Sequence, residues 1–76
     1  MNVCNMKAGE RASVYKVSLD EKTRERLRYL NVSEGALIYL LKVSFFRKTY
    51  FLQARSAKIA VSREIAEKIL VGSVRK

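Results

Sequence analysis

The chain of 76 residues contains no histidine, no proline and no tryptophan, and it has a single cysteine, Cys4. Without histidine, neither a serine–histidine nor a cysteine–histidine nucleophile pair can form. Three scattered glycines do not make a phosphate-binding loop. The one close group of carboxylates is Asp20, Glu21 and Glu25, and its order is typical of a capped helix start. The composition therefore predicts a protein that is not an enzyme.

Metal ligands are equally scarce. Tight zinc and iron sites need histidine or cysteine side chains at short spacing, and one cysteine cannot supply them. We therefore expect neither a metal site nor a cofactor, and the remaining alternative is a weak oxygen-ligand site at Asp20, Glu21 and Glu25.

Cys4 also cannot form a disulfide within the chain, and we expect it to lie in a frayed N-terminal segment. The start MNVCNMK lacks the apolar core of a secretory signal, and no apolar run is long enough to span a membrane. These features predict a reduced, cytoplasmic protein.

Hydrophobic residues make up 49% of the chain, which predicts a packed fold rather than disorder. A chain of this length forms one domain, here residues 1–76, with little room for both a core and an enclosed substrate cavity. A module that binds a partner on its surface is therefore favoured over an enzyme.

The charge is strongly positive, with 16 lysines and arginines against 7 acidic residues and a net charge of +9. The basic residues fall in clusters: Arg24, Arg26 and Arg28; Arg47 and Lys48; Arg55 and Lys58; Arg75 and Lys76. Together with exposed aromatics, such clusters could bind nucleic acid or anionic lipid. Nucleic-acid binding by a small barrel is therefore the alternative function.

Residue patterning gives the order of the elements. Alternation predicts a first strand at 11–17 with an irregularity at Lys16 and Val17, and Asp20 is a suitable N-cap for a helix at 21–30. The remaining predicted elements are strands at 36–44, 49–54 and 57–61, a short helix capped by Ser62 that holds Ile65, Ala66 and Ile69, and a closing strand at 70–74. The strand at 36–44 is apolar on both faces in its first half, which predicts that it is deeply buried or covered by a helix.

The segment RLRYLNVSEG, residues 26–35, combines an Arg-Leu pair, a spaced leucine, a turn residue at Asn31 and a glycine before an apolar strand. Downstream, KIAVSREIAEKILV contains a second spaced set: Ile59, Ala60, Val61, Ala66, Ile69 and Val71. In this order the two segments resemble the FeoA family, over about residues 7–74. The chain departs from the family in having Asn31 where glycine is usual and Ser56 where glycine is common.

The resemblance implies a mainly β fold, a small SH3-like barrel of about five strands with two short helices. It also implies an accessory or regulatory role in ferrous iron transport. The implied partner is the transporter FeoB, whose cytoplasmic portion includes a GTP-hydrolysing domain. Membrane contact is then expected only through the partner or through anionic lipid.

Two surfaces are candidates for partner binding. Phe45 and Phe46 are adjacent and cannot both face the core of a continuing strand, so at least one should be exposed or contact a partner, including a second copy of the chain. The alternative is a twisted hairpin that packs both side chains onto the end of the barrel. Tyr39 and Tyr50 are expected in or near the core. The predicted partner-binding residues are Phe45, Phe46, Arg47 and Lys48 at a hairpin tip, and Arg24, Arg28 and Tyr29 on the helix.

Overall fold

The computed structural model describes all residues, 1–76. The elements are β1 (Arg11–Val17), α1 (Glu21–Tyr29), β2 (Leu37–Val43), β3 (Thr49–Ala54), β4 (Ala57–Ser62), α2 (Arg63–Ala66) and β5 (Ile69–Arg75), with 3-10 turns at Val3–Asn5 and Phe45–Arg47. The five strands form one antiparallel sheet in the order β4-β3-β2-β1-β5. Extents of 28, 24 and 23 Å show that this sheet is rolled around its core rather than flat. The predicted small β barrel with two short helices is confirmed.

Strand β1 has the predicted bounds and the predicted irregularity. Ala12, Val14 and Val17 point into the core. The pairing of β1 with β5 shifts register between Val14 and Lys16, so one extra residue is accommodated there and Val17 returns to the buried face.

Helix α1 begins and ends as its sequence predicts. The Asp20 carboxylate accepts hydrogen bonds from the backbone N–H and the hydroxyl of Thr23. At the other end Asn31 takes a left-handed conformation, with φ 69°. The N–H groups of Asn31 and Val32 donate to the carbonyls of Arg28 and Leu27, each at 2.9 Å, which is the Schellman arrangement.

The N-terminal segment is part of the core, so the expectation of a frayed terminus around Cys4 is wrong. Asn2 caps the first 3-10 turn, and the carbonyl of Met1 accepts a hydrogen bond of 2.9 Å from the N–H of Val71. Val3 and Met6 are buried among the 16 buried residues, all of which are hydrophobic. The pairing with β5 is long-range, and local patterning cannot reveal it.

Helix α2 is shorter than predicted, and Ile69 is not part of it. Ser62 caps the helix through a hydrogen bond from the N–H of Ile65, as expected. The chain then leaves the helix, because the carbonyl of Lys68 accepts from the N–H of Ser18 and Ile69 pairs with Val17 at the end of β1. Strand β5 therefore starts at Ile69, one residue earlier than predicted.

The expectation that β2 lies deep inside the barrel or has one face under a helix is also wrong. Ile38 and Leu40 are fully buried, whereas Leu37, Tyr39 and Leu41 on the outer face are 39–45% exposed. Tyr39 is thus outside the core, while Tyr50 is 2% exposed and lies in it, as expected.

At the β3–β4 turn the left-handed residue is Arg55, with φ 56°, rather than Ser56. No helix of the structure is both long enough and apolar enough to cross a membrane.

Candidate partner-binding surfaces

The first surface is the β2–β3 tip, residues 45–48. Ser44 closes the turn that carries it: its N–H donates to the Thr49 carbonyl, and its hydroxyl accepts from the Thr49 N–H, each at 2.9 Å. Between these bonds Phe46 and Arg47 have φ values of 71° and 55°. Residues with a Cβ rarely adopt this left-handed region, and two in succession mark a strained turn.

The strained backbone leaves both phenylalanines in solvent. Phe45 is 85% and Phe46 is 76% exposed, so the prediction that at least one is exposed is confirmed. Their ring centroids lie 4.6 Å apart at 70°, in an edge-to-face pair. The sequence indicated the pair but not its left-handed backbone, which depends on how the hairpin closes.

Behind the tip lies a shallow depression of about 470 Å³, lined by Lys7, Lys42 and Arg47 together with Cys4 and Tyr50. No carboxylate lines it. Burial raises the pKa of the Tyr50 phenol above its ordinary value, and the neighbouring Cys4 thiol adds to the shift. The depression is therefore lined by three basic side chains that no carboxylate opposes.

The second surface is the exposed side of α1. Tyr29 is 89% exposed at the end of the helix. Arg24 forms an ion pair of 3.7 Å with Glu34, whose carboxylate also accepts a hydrogen bond of 3.3 Å from the N–H of Val17. Backbone hydrogen bonds, and then Arg24 and Arg28, lower the pKa of Glu34 below its ordinary value. Arg24 is therefore partly neutralised, while no ion pair engages Arg28.

Next to α1 the fold creates a concave surface of about 1000 Å³, which we term the α1 groove. Its principal side chains are Arg28 and Arg55 with Leu37, Tyr39 and Leu41 of β2. The register of β2 against β3 shifts between Leu40 and Lys42. Leu41 is therefore the extra residue of a bulge and lies on the outer face.

Sequence reasoning did not select Leu37, Tyr39 or Leu41 for partner binding, and it placed Arg55 only among the basic clusters that could bind nucleic acid or anionic lipid. The signal was present in the i, i+2 spacing of Leu37, Tyr39 and Leu41. The sequence alone predicts a strand deep inside the barrel or with one face under a helix, because only the tertiary structure shows that no element covers the outer face.

The structure separates the predicted partner-binding residues into these two surfaces. Arg28 lines the α1 groove, whereas Arg47 lines the depression behind the tip, and no concave site contains residues of both sets.

Among the carboxylates at the start of α1, Asp20 caps the helix. The hydrogen bond from the Thr23 hydroxyl, at 2.7 Å, lowers the pKa of Asp20 below its ordinary value. No three His, Cys, Asp or Glu side chains are grouped so that they could hold a metal ion. The Cys4 thiol lies 3.9 Å from the carbonyl of Arg63.

Comparison with known proteins adds a family and a set of structures. The model of the FeoA domain family matches residues 1–72. Among solved structures, the FeoA protein from Chlorobium tepidum superposes with a TM-score of 0.88 at 28% identity, and the match covers 93% of this chain and 68% of that one. No curated protein sequence is significantly similar to the chain.

Two clostridial structures share the fold at 17% identity. The iron(II) transport protein A from Clostridium thermocellum superposes with a TM-score of 0.85, with 93% of this chain covered. This chain spans 44% of that protein, less than half of its length. The FeoA-like protein from Clostridium acetobutylicum gives a TM-score of 0.80, with coverage of 95% of this chain and 84% of that one.

Proposed function

The chain belongs to the FeoA family, and from that membership we propose that it is a cytoplasmic accessory protein that binds the ferrous iron transporter FeoB. The observation that carries the proposal is the family match over residues 1–72. The family is associated with ferrous iron transport. In this proposal the chain performs no catalysis, and it regulates the transporter by contact with its cytoplasmic portion.

We assign the transporter contact to the α1 groove and the adjoining side of α1. Three features support this assignment. The groove is concave, and it combines the apolar side chains of Leu37, Tyr39 and Leu41 with two arginines. Its one carboxylate, Glu34, is paired with Arg24, and Tyr29 lines a neighbouring depression together with Arg28. Protein interfaces favour arginine and aromatic anchors seated in complementary shapes. With a net charge of +9, electrostatic attraction would speed association with an acidic partner surface.

Charge reversal in the groove tests this assignment. We expect Arg28→Glu to weaken binding of the purified cytoplasmic portion of FeoB at least about tenfold, because it removes a cation and places a carboxylate against the partner. Isothermal titration calorimetry in the absence of lipid would measure the affinity.

Arg26→Glu is the matched control. It makes the same change in net charge on the same exposed helix, yet Arg26 lines neither the groove nor the tip depression. Equal weakening by both variants would mean that only overall charge matters, and no weakening by Arg28→Glu would place the contact elsewhere.

Nucleic-acid binding remains the second candidate because of a row of side chains across the sheet. The strand register aligns Lys58, Gln53, Tyr39, Arg11 and Arg75 on five neighbouring strands. Phosphate contacts from such a row would weaken steeply with salt. Tight RNA binding that persists at physiological salt, together with absent FeoB binding, would favour this candidate.

A further inference from the structure

The β2–β3 tip is strained in a way that no other turn of the chain shares. Phe46 and Arg47 are consecutive left-handed residues, and both carry a Cβ. In the connection from α1 to β2, the left-handed positions are occupied by Asn31 and Gly35, which tolerate that conformation. Backbone strain of this kind persists where the surrounding structure imposes it and is concentrated at functional sites.

The consequence of the strained backbone is a convex aromatic projection. Neither Phe45 nor Phe46 lines any concave site of the molecule, and the two rings contact each other edge-to-face at 4.6 Å. A folded protein partner would need a matching pocket to receive this projection. The headgroup and acyl boundary of a bilayer is fluid and accepts apolar side chains of any shape.

Cations surround the projection. Arg47 and Lys48 follow it directly, and Lys42 lies on the preceding strand with its Nζ 5.8 Å from the centroid of Phe51. Lys7, Lys42 and Arg47 line the depression behind it, where no carboxylate is found. The carbonyl of Lys48 accepts from the N–H of Arg63, so the start of α2 adjoins the tip.

Two acidic residues, Glu64 and Glu67, lie on or just after α2, and the Glu67 carboxylate is 3.9 Å from Arg63. The tip itself carries no acid. Its chemistry therefore complements an anionic surface.

We propose that the β2–β3 tip is a membrane-surface anchor that binds bilayers containing anionic phospholipid. Phe45 and Phe46 enter the interface, while Lys42, Arg47 and Lys48 contact lipid phosphates. Nucleic acid is the less favoured ligand, because the edge-to-face contact already takes one of the four ring faces on which bases could stack. The depression behind the tip shares only Leu41 with the α1 groove, and the anchor requires no transporter.

Vesicle sedimentation tests the proposal with the full chain. We expect binding to vesicles of phosphatidylglycerol and phosphatidylcholine, and little binding to phosphatidylcholine alone. The double variant Arg47→Gln/Lys48→Gln should lose about fivefold in partition coefficient for each cation removed. The control Lys22→Gln/Arg26→Gln lowers the net charge equally on exposed α1 and should bind as the parent does or nearly so.

The aromatic contribution is tested separately. Phe45→Ser/Phe46→Ser should reduce vesicle binding at least about tenfold by removing the inserted rings. Tyr15→Ser, which alters an aromatic that is 73% exposed on β1, should not reduce it. Equal binding by the double phenylalanine variant and the parent would overturn the proposal.

Insertion has its own spectroscopic readout. The chain has no tryptophan, so Phe46→Trp introduces a single reporter at the tip. We expect its emission to shift to shorter wavelength on addition of anionic vesicles and to stay unchanged with neutral ones. An unchanged spectrum with anionic vesicles would mean that lipid attraction is electrostatic only. A shift produced by the FeoB cytoplasmic portion but not by vesicles would make the tip a protein contact, and either result contradicts the anchor.

Discussion

The two connections that flank β2 use the same backbone geometry but very different residues. Between α1 and β2, the left-handed positions are Asn31 and Gly35. Between β2 and β3 they are Phe46 and Arg47. Local sequence selects the first connection, because asparagine and glycine favour this conformation. The second is imposed by the closure of the hairpin against its own residue preferences, and strain of this kind is concentrated at functional sites.

What holds each connection also differs. The first is fixed by packing, since Leu27 and Val32 on either side of the left-handed turn are buried. The second has no buried residue in its 3-10 turn and is held by the hydrogen bonds between Ser44 and Thr49. Substitutions should therefore have large effects on stability at the first connection and small effects at the second.

The largest expected effect is in the packed connection. Leu27→Ala should lower the free energy of unfolding by about 2–5 kcal/mol, because it leaves a cavity beneath α1. Ile69→Ala, at the fully buried start of β5, should fall in the same range. Phe45→Ala at the tip is the control and should change it by less than about 0.5 kcal/mol. Urea denaturation would measure all three, and unchanged midpoints for Leu27→Ala and Ile69→Ala would show that these positions do not pack as described.

The next largest change in stability is expected from removing a glycine at one connection and introducing one at the other. No atom lies within 4 Å of a Cβ added at Gly35, so Gly35→Ala meets only backbone strain, which costs about 1–2 kcal/mol in the left-handed region. Phe46→Gly relieves the same strain, but it lowers the free energy of unfolding by about 0.5–1 kcal/mol because glycine has more conformational freedom in the unfolded chain. We therefore expect Phe46→Gly to retain the parent's stability or to gain up to about 1.5 kcal/mol.

Thermal and urea unfolding of this pair would sharpen the comparison. A loss of stability in Phe46→Gly that matched the loss in Gly35→Ala would mean that the phenylalanine side chain stabilises the tip, and the contrast between the two connections would disappear.

The smallest effects concern pH. The pKa of the Tyr50 phenol is raised in the folded state, so its contribution to stability is complete below the ordinary value of 10.0 and is lost as the pH rises toward the folded value. The pKa of Glu34, beside α1, is lowered, so its contribution is present above its ordinary value of 4.5 and is lost as the pH falls through the folded value.

Two variants separate the alkaline limb from the acidic limb in a plot of the free energy of unfolding against pH. Tyr50→Phe should flatten the alkaline limb only, and Glu34→Gln should flatten the acidic limb only. Urea unfolding across the pH range would measure both. A parent-like alkaline limb in Tyr50→Phe would show that other groups cause the loss at high pH.

Much of the fold could be predicted because its signals are local. The bounds of β1 and β3 agree with the alternation of their residues, and the start of α1 follows from the capping chemistry of Asp20. The wrong predictions concern segments whose structure depends on pairing with strands that are distant in sequence. Ile69 lies in β5 rather than in the predicted helix because it pairs with Val17. The N-terminal segment packs into the core because it is hydrogen-bonded to β5.

The features of the candidate surfaces also divide into those that local sequence predicts and those that depend on the tertiary structure. Composition and charge alone argued against catalysis and predicted a basic binding module, and the adjacency of Phe45 and Phe46 alone predicted an exposed aromatic. Only the tertiary structure showed that the outer face of β2 is uncovered, that Arg28 and Arg55 line the same groove as this face, and that the tip is a left-handed projection. The physical reason is that residue types and short-range spacing determine helices, caps and turns, whereas exposure of a strand face and strain in a hairpin depend on which distant segments pack against them.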